Sequence, residues 1–156
     1  MSGDLSLRNR QRARRLDLRL LRRVIAGLLA DLEAKDFDLT IHLIGEYEMA
    51  QLNEIRLGHP GSTDVITFDY GESNGPMIGE IFLCVPEALA QASRFRTTWQ
   101  EELVRYIIHG ILHLRGHDDL RPIARRLMKR EEGRLLKKLS RDFRLSKLSR
   151  KPKVSA

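Results

Sequence analysis

A predicted helix over residues 99–114 constrains the fold more than any other segment, because its apolar side chains leave almost no face for water. Thr98 begins a T-x-x-E capping box at its start, and Gly116 is expected to end it. Two histidines, His109 and His113, lie within this nearly buried helix, where an imidazole needs a polar partner or a metal ion. The apolar residues are Leu103, Val104, Ile107, Ile108, Ile111, Leu112 and Leu114.

His109 and His113 are four residues apart, so their imidazoles lie one helical turn apart on the same face and can converge on one ion. Such a pair alone would favour two hydrogen-bonded core histidines. Gly116, however, permits a sharp reversal, and three ligand-type side chains follow it directly. They are His117, Asp118 and Asp119. Two helical ligands and one from the returning turn leave a fourth position for water, which is the arrangement of a catalytic zinc site.

The residue beside the first histidine discriminates among metal enzymes. In HExxH metalloproteases a glutamate at that position is the general base, whereas this chain has Gly110, which has no side chain. Peptide hydrolysis by that route is therefore disfavoured. A proton-transferring group must come from elsewhere, and His117 or Asp118 is the nearest candidate.

The remaining hydrophobic patterns predict a single α+β domain in which a small mixed sheet of about four strands packs with about five helices. With its two histidines on a buried helix, the domain has a zincin-like arrangement. The other predicted helices cover residues 16–32, 46–57, 86–96 and 122 to about 139, and the strands cover 39–43, 64–68 and 78–85, the last two as neighbours. We expect residues 1–140 to form the domain and residues 141–156 to form a basic, disordered tail.

The net charge of +7 is divided unevenly along the chain. Residues 1–23 hold eight Arg and two Asp, residues 24–119 hold six basic and sixteen acidic residues, and residues 120–156 hold fourteen basic and three acidic residues. These basic segments are either solvated helix faces or a surface for a polyphosphate, and the abundance of Arg favours nucleic acid. No apolar run approaches the roughly 18 residues that a membrane span needs, and the first residues lack the apolar region of a secretory signal, so we expect a cytoplasmic protein without a membrane partner.

The stretch HGILHLRG, with the ligand-rich turn after it, resembles the HGxLHLxGxDH signature of the YbeY family. Upstream, LNEIRLGHPGSTDVITF resembles an Asn-containing helix and the TDVLSF strand of that family, and IGEIFLCVPEA resembles its GDI strand. Met128 and Glu132 fit its last helix. The resemblance extends over roughly residues 38–139 in the same order.

The resemblance implies a bacterial, single-strand-specific, metal-dependent endoribonuclease of the cytoplasm, acting in ribosomal RNA processing and ribosome maturation. Its cofactor would be one Zn²⁺ ion, and its partners would be RNA, namely rRNA precursor, and the small ribosomal subunit. Two other functions stay open. One is a non-catalytic RNA-binding assembly factor whose metal is structural, and the other is a different metal-dependent hydrolase.

The family's third histidine ligand aligns with Asp119, so the implied ligands are His109, His113 and Asp119. A carboxylate oxygen is an acceptable zinc ligand. His117 occupies a position where the family often has Tyr, and it is the alternative third ligand or a proton carrier beside the metal. Asp118 is the other candidate for proton transfer.

The family arginine expected to contact the RNA phosphate aligns with Leu57, one residue after Arg56. One residue on a helix turns a side chain by about 100°. Arg56 is nevertheless the candidate for this contact. A family proline is replaced by Ser62, and the adjacent Thr63 and Asp64 are expected to cap the loop.

Overall fold

The computed structural model describes residues 3–58, 61 and 63–150, which form a single α+β domain as predicted. Ser62 and residues 151–156 lie outside the described part of the chain. Within that part, no helix combines the length and the apolar character needed to cross a membrane. The strands are β1 (Gly3–Asn9), β2 (Phe37–Ile44), β3 (Val65–Asp69) and β4 (Met77–Cys84). The helices are α1 (Leu18–Asp31), α2 (Glu46–Leu57), α3 (Val85–Phe95), α4 (Trp99–Leu114) and α5 (Pro122–Asp142).

The four strands form one mixed sheet in the order β1-β2-β4-β3. β1, β2 and β4 are parallel, and β3 runs antiparallel to β4, so the predicted neighbouring pair is confirmed. β1 lies within the Arg-rich segment at the start of the chain. Its Leu5 and Leu7 pack against the core, while Arg8 is exposed, the period-2 pattern of a strand.

The two faces of the sheet carry different layers. On one face, Leu39, Ile41 and Ile81 are fully buried in the main core, beneath residues of α1, α4 and α5. Nine of the sixteen residues of α4 are buried, in line with its apolar pattern, and its two histidines are partly exposed. The other face carries a smaller cluster in which Met49 of α2 packs on Ile66 and neighbouring residues.

Gly110 of α4 lies so close to strand β4 that an added side chain would clash with Ile81. A Cβ atom at this position would lie 2.8 Å from Cδ1 of Ile81 and 2.9 Å from its Cγ2. The glycine beside His109 is therefore required by helix-to-sheet packing. The glutamate of a metalloprotease would not fit here unless the side chain of Ile81 shifted or the helix moved away from the sheet.

The Gly110→Ala variant should be less stable than a variant in which Gly133 of α5 is replaced by alanine. A Cβ atom at Gly133 would meet no atom within 4 Å. Both variants gain similar helix propensity, so the difference isolates the overpacking at Gly110, about 1–3 kcal/mol. Urea unfolding of the two variants at equal metal content measures this difference. Equal stability would mean that Ile81 moves aside at little cost.

The C-terminal part differs from its prediction. α5 continues to Asp142, and a 3₁₀ helix (Leu145–Leu148) follows. Leu145 is 6% exposed and Leu148 is fully buried, so both belong to the main core. The expectation of a disordered tail was therefore wrong for residues 141–150, because two leucines three residues apart anchor this segment.

Candidate metal centre

A tight reversal at the end of α4 brings the following turn back over the histidine pair. The backbone N–H of Gly116 donates to the carbonyl of His113, and that of His117 donates to the carbonyl of Leu112, both at 3.0 Å. This Schellman motif needs a left-handed residue, and Gly116 supplies it with φ of +96°. The local sequence thus folds so that Asp119 returns to the helix.

Three side chains converge at this reversal. Nε2 of His109 and Nε2 of His113 are 3.1 Å apart, and Oδ2 of Asp119 lies 3.6 Å from the first and 3.4 Å from the second. A tetrahedral ion with bonds of about 2.0–2.2 Å would separate its ligands by about 3.3–3.6 Å. The three groups therefore fit one metal ion with little adjustment. The structure brings Asp119 to the pair, and His117 is not among the clustered residues.

Glu132 of α5 holds His109 in position. Its Oε2 accepts a hydrogen bond from Nδ1 of His109 at 3.0 Å, and its side chain is largely buried. In the neutral imidazole this contact leaves the lone pair on Nε2, toward the cluster. Burial alone would lower the pKa of His109, but Glu132 and Asp119 raise it above the ordinary histidine value.

Sequence reasoning had assigned no role to Glu132, although a signal was present. Met128, Leu135 and Leu139 define the buried face of α5, and Glu132 lies on that same face. A carboxylate among core positions needs a partner, and His109 is that partner.

The cluster lies in a cleft with a volume of about 680 Å³ between α4, β3, α3 and α5. Five of its lining side chains are carboxylates: Asp64, Asp69, Glu102, Asp119 and Glu132. Among the described residues, Arg105 is the only Arg or Lys in this lining. It precedes His109 and His113 at a spacing of four residues, so it lies on the same face of α4 as the cluster.

Tyr106 also lines the cleft, and its side chain is 5% exposed. Its hydroxyl has no hydrogen-bond partner within the described part of the chain. Burial and, more weakly, the charge of Asp64 raise the pKa of Tyr106 well above its usual value, so the hydroxyl keeps its proton. A buried donor without a partner is suited to a ligand that enters the cleft.

His117 and Asp118 line a separate concavity with the start of α5. Oδ1 of Asp118 accepts from the backbone N–H of Leu120 at 2.8 Å, and its Oδ2 is 3.4 Å from Nε of Arg121. Asp118 thus stabilises the turn. The catalytic roles of His117 and Asp118 stay predictions.

Arg56 lies on the other side of β3. Its guanidinium is 5.9 Å from the ring centroid of Phe68. Phe68 belongs to the smaller core cluster, whereas its neighbour Thr67 lines the cleft. Since adjacent strand residues face opposite ways, Arg56 is across the strand from the metal ligands, and its phosphate contact stays a prediction.

The expected loop capping at the start of β3 is confirmed. Oδ1 of Asp64 accepts hydrogen bonds from the backbone N–H of Val65 at 2.8 Å and from the hydroxyl of Thr63 at 3.4 Å. Asp64 therefore orders the loop at the edge of the cleft.

Comparison with known proteins gives concordant results. The family model described as "Endoribonuclease YbeY" matches residues 6–140. A protein of that name from Anaeromyxobacter sp. (strain Fw109-5) is 36% identical over 130 residues, which are 82% of this chain and 65% of the relative. Another, from Chlorobium luteolum (strain DSM 273 / BCRC 81028 / 2530), is 34% identical over 138 residues, which are 88% of this chain and 99% of the relative.

A solved structure supports the same assignment. The solution structure of TM1509 from Thermotoga maritima aligns with a TM-score of 0.69 at 26% identity, covering 91% of this chain and 93% of that one. The fold, the clustered ligands and the sequence similarity agree. The chain belongs to the YbeY endoribonuclease family.

Proposed function

We propose that this protein is a metal-dependent endoribonuclease that cleaves single-stranded segments of rRNA precursor during maturation of the small ribosomal subunit in the cytoplasm. The observation that carries the proposal is the convergence of His109, His113 and Asp119 within a cleft of about 680 Å³. Zn²⁺ suits these nitrogen and oxygen ligands. The relatives named as endoribonucleases supply the substrate class.

A bound zinc ion would act as a Lewis acid on a phosphoryl oxygen and lower the pKa of its water toward neutrality. The protein's own groups would position the reactants. Glu132 would orient His109, and Arg105 would bind a phosphate oxygen beside the scissile bond. The Tyr106 hydroxyl would donate a hydrogen bond to the substrate. His117 and Asp118, on the adjoining turn, stay candidates for proton transfer.

Substrate class can be tested with the full-length protein on labelled single-stranded RNA, the matching duplex and a generic peptide substrate. We expect cleavage of the single strand alone, and we expect a chelator to abolish it. Cleavage of the peptide with the RNA intact would indicate a metalloprotease. RNA binding without cleavage, with a melting temperature that falls on chelation, would indicate an assembly factor with a structural metal.

The Arg105→Gln variant should raise KM for RNA about 10-fold or more, because a hydrogen bond to a charged group contributes about 1.5–3 kcal/mol. Its metal content should not change, since Arg105 is not a ligand. The matched control is Arg115→Gln, which removes an exposed guanidinium at the end of the same helix. Steady-state kinetics on single-stranded RNA give the comparison. An equal effect of the two substitutions would remove Arg105 from the proposed site.

A further inference from the structure

The two basic segments at opposite ends of the chain meet in space. The backbone N–H of Asp17 donates to the carbonyl of Leu148 at 2.9 Å, and that of Arg150 donates to the carbonyl of Arg15 at 3.1 Å. Between these bonds, Leu16 pairs with Ser149 in an antiparallel bridge. Basic side chains that neighbour these contacts, from both segments, therefore lie close together on the surface of the domain.

A concavity of about 370 Å³ lies on this surface, between the start of α1, the end of α5 and the 3₁₀ helix. Four exposed cations line it, and we call them the basic cradle: Arg19, Arg23, Arg144 and Lys147. Within the described part of the chain, none of them forms an ion pair. Their charges are thus available to an anionic ligand.

The two acidic residues of the concavity are engaged elsewhere. Oδ1 of Asp17 accepts the backbone N–H of Leu20 at 3.0 Å and caps α1. Oδ2 of Asp142 is 3.4 Å from Nζ of Lys138. Neither carboxylate is paired with a cation of the cradle, which leaves a positive surface.

The backbone that carries the cradle is anchored to the core. Leu145 and Leu148 are buried on either side of Lys147, and Leu16 is buried three residues before Arg19. The guanidinium of Arg23 lies 5.8 Å from the ring centroid of Phe143. These anchors hold the four cations together, so a ligand would not have to order a disordered arm.

The catalytic cleft lacks such a surface. Its lining combines five carboxylates with one arginine, and that charge distribution repels a polyanion. α5 connects the two regions, since it carries Glu132 in the cleft and Asp142 at the cradle. Ten residues of helix span about 15 Å, a short distance for an extended nucleic acid strand.

We propose that the basic cradle binds the phosphate backbone of the RNA whose scissile segment lies in the metal cleft. The contact is electrostatic and independent of base sequence, because Arg and Lys side chains on an exposed concavity recognise phosphate oxygens. This inference rests on the proposed function, for which it supplies the anchoring site that the acidic cleft does not provide.

The test compares two full-length variants that each lose four cations. The cradle variant carries Arg19→Gln, Arg23→Gln, Arg144→Gln and Lys147→Gln. The control carries Lys35→Gln, Arg126→Gln, Arg130→Gln and Lys137→Gln, all exposed positions outside the cradle and the cleft. Circular dichroism and melting temperature verify that both are folded.

Binding is measured by fluorescence anisotropy with a long single-stranded DNA, which presents the same phosphate spacing without a 2′-hydroxyl to cleave. For the cradle variant, the slope of log K against log salt should become shallower by about three. Its affinity at about 0.1 M salt should fall on the order of 100-fold. The affinity of the control variant should fall by less than about 10-fold. Equal losses in both variants, or none in the cradle variant, would overturn the proposal.

Cleavage separates this inference from the proposed function. The cradle variant should cleave a short oligonucleotide that fills only the cleft with unchanged kcat and KM, while its KM for long RNA rises. If the unmodified protein cleaves no RNA, the proposed function fails whatever the cradle binds. A cradle variant that binds long DNA and RNA as tightly as the unmodified protein, but no longer binds phosphatidylserine vesicles, would overturn the RNA proposal in favour of a lipid surface.

Discussion

Replacing Asp119 with alanine should release the metal ion and remove nearly all RNA cleavage. Its carboxylate is 3.4–3.6 Å from the two histidine nitrogens, so its loss leaves two ligands where a zinc site needs three from the protein. A metal ion supplies several kcal/mol of transition-state stabilisation, which predicts a loss of cleavage of at least about 100-fold. Native mass spectrometry measures bound metal, and labelled single-stranded RNA measures cleavage.

The matched control for this prediction is His117→Ala. His117 lies two residues before Asp119 on the same turn, but it lines a different concavity. It should retain the metal, and a slower reaction would support its predicted role in proton transfer. If His117→Ala lost the metal while Asp119→Ala retained it, the third ligand would be His117 rather than Asp119.

Replacing Glu132 with glutamine should weaken metal binding about 10- to 100-fold. The carboxylate orients His109 through its Nδ1 and raises the basicity of the ligand nitrogen, and the amide of glutamine does this less well. Because His109, His113 and Asp119 stay in place, saturating zinc should restore most of the cleavage. Zinc titration against a competing chelator gives the affinity, and a parallel RNA assay gives the rescue.

The neighbouring Glu131 provides the control. It has the same charge and lies on the same helix, but its partner is Arg134 rather than a metal ligand. Glu131→Gln should leave zinc affinity unchanged within the error of the titration. A Glu132→Gln variant with normal zinc affinity would show that His109 needs no carboxylate partner.

The fold was most predictable where one segment carried its own signals. The bounds of α4 follow from a run of apolar residues between Thr98 and Gly116, and both act at the ends of the helix as expected. β1 was harder to recognise because its Leu5 and Leu7 lie within an arginine-rich segment. The anchoring of Leu145 and Leu148 depends on contacts with the rest of the core, which a local pattern of basic residues does not reveal.

The residues of the site were likewise easier to predict where they lie close together along the chain. Helical spacing and a glycine reversal place His109, His113 and Asp119 together, since all three lie within eleven residues. Glu132 is twenty-three residues from His109 along the chain, so its contact depends on how α5 packs against α4.

The choice between Arg56 and Arg105 for the phosphate contact depends on the direction in which each side chain points. The resemblance aligned the family arginine with Leu57 and made the neighbouring Arg56 the candidate, whereas the packing of α4 against the sheet places Arg105 in the cleft. Alignment gives the order of residues along the chain, but it does not give the face of a strand or helix on which a side chain lies.

The most direct test is to remove the metal from the unmodified protein and then restore it, while following cleavage of single-stranded RNA. We predict that the metal-free protein stays folded and is inactive, and that activity returns in proportion to zinc, with an endpoint near one ion per chain. RNA cleavage that persists in the metal-free protein would contradict the metal-dependent mechanism, as would full zinc loading with no cleavage.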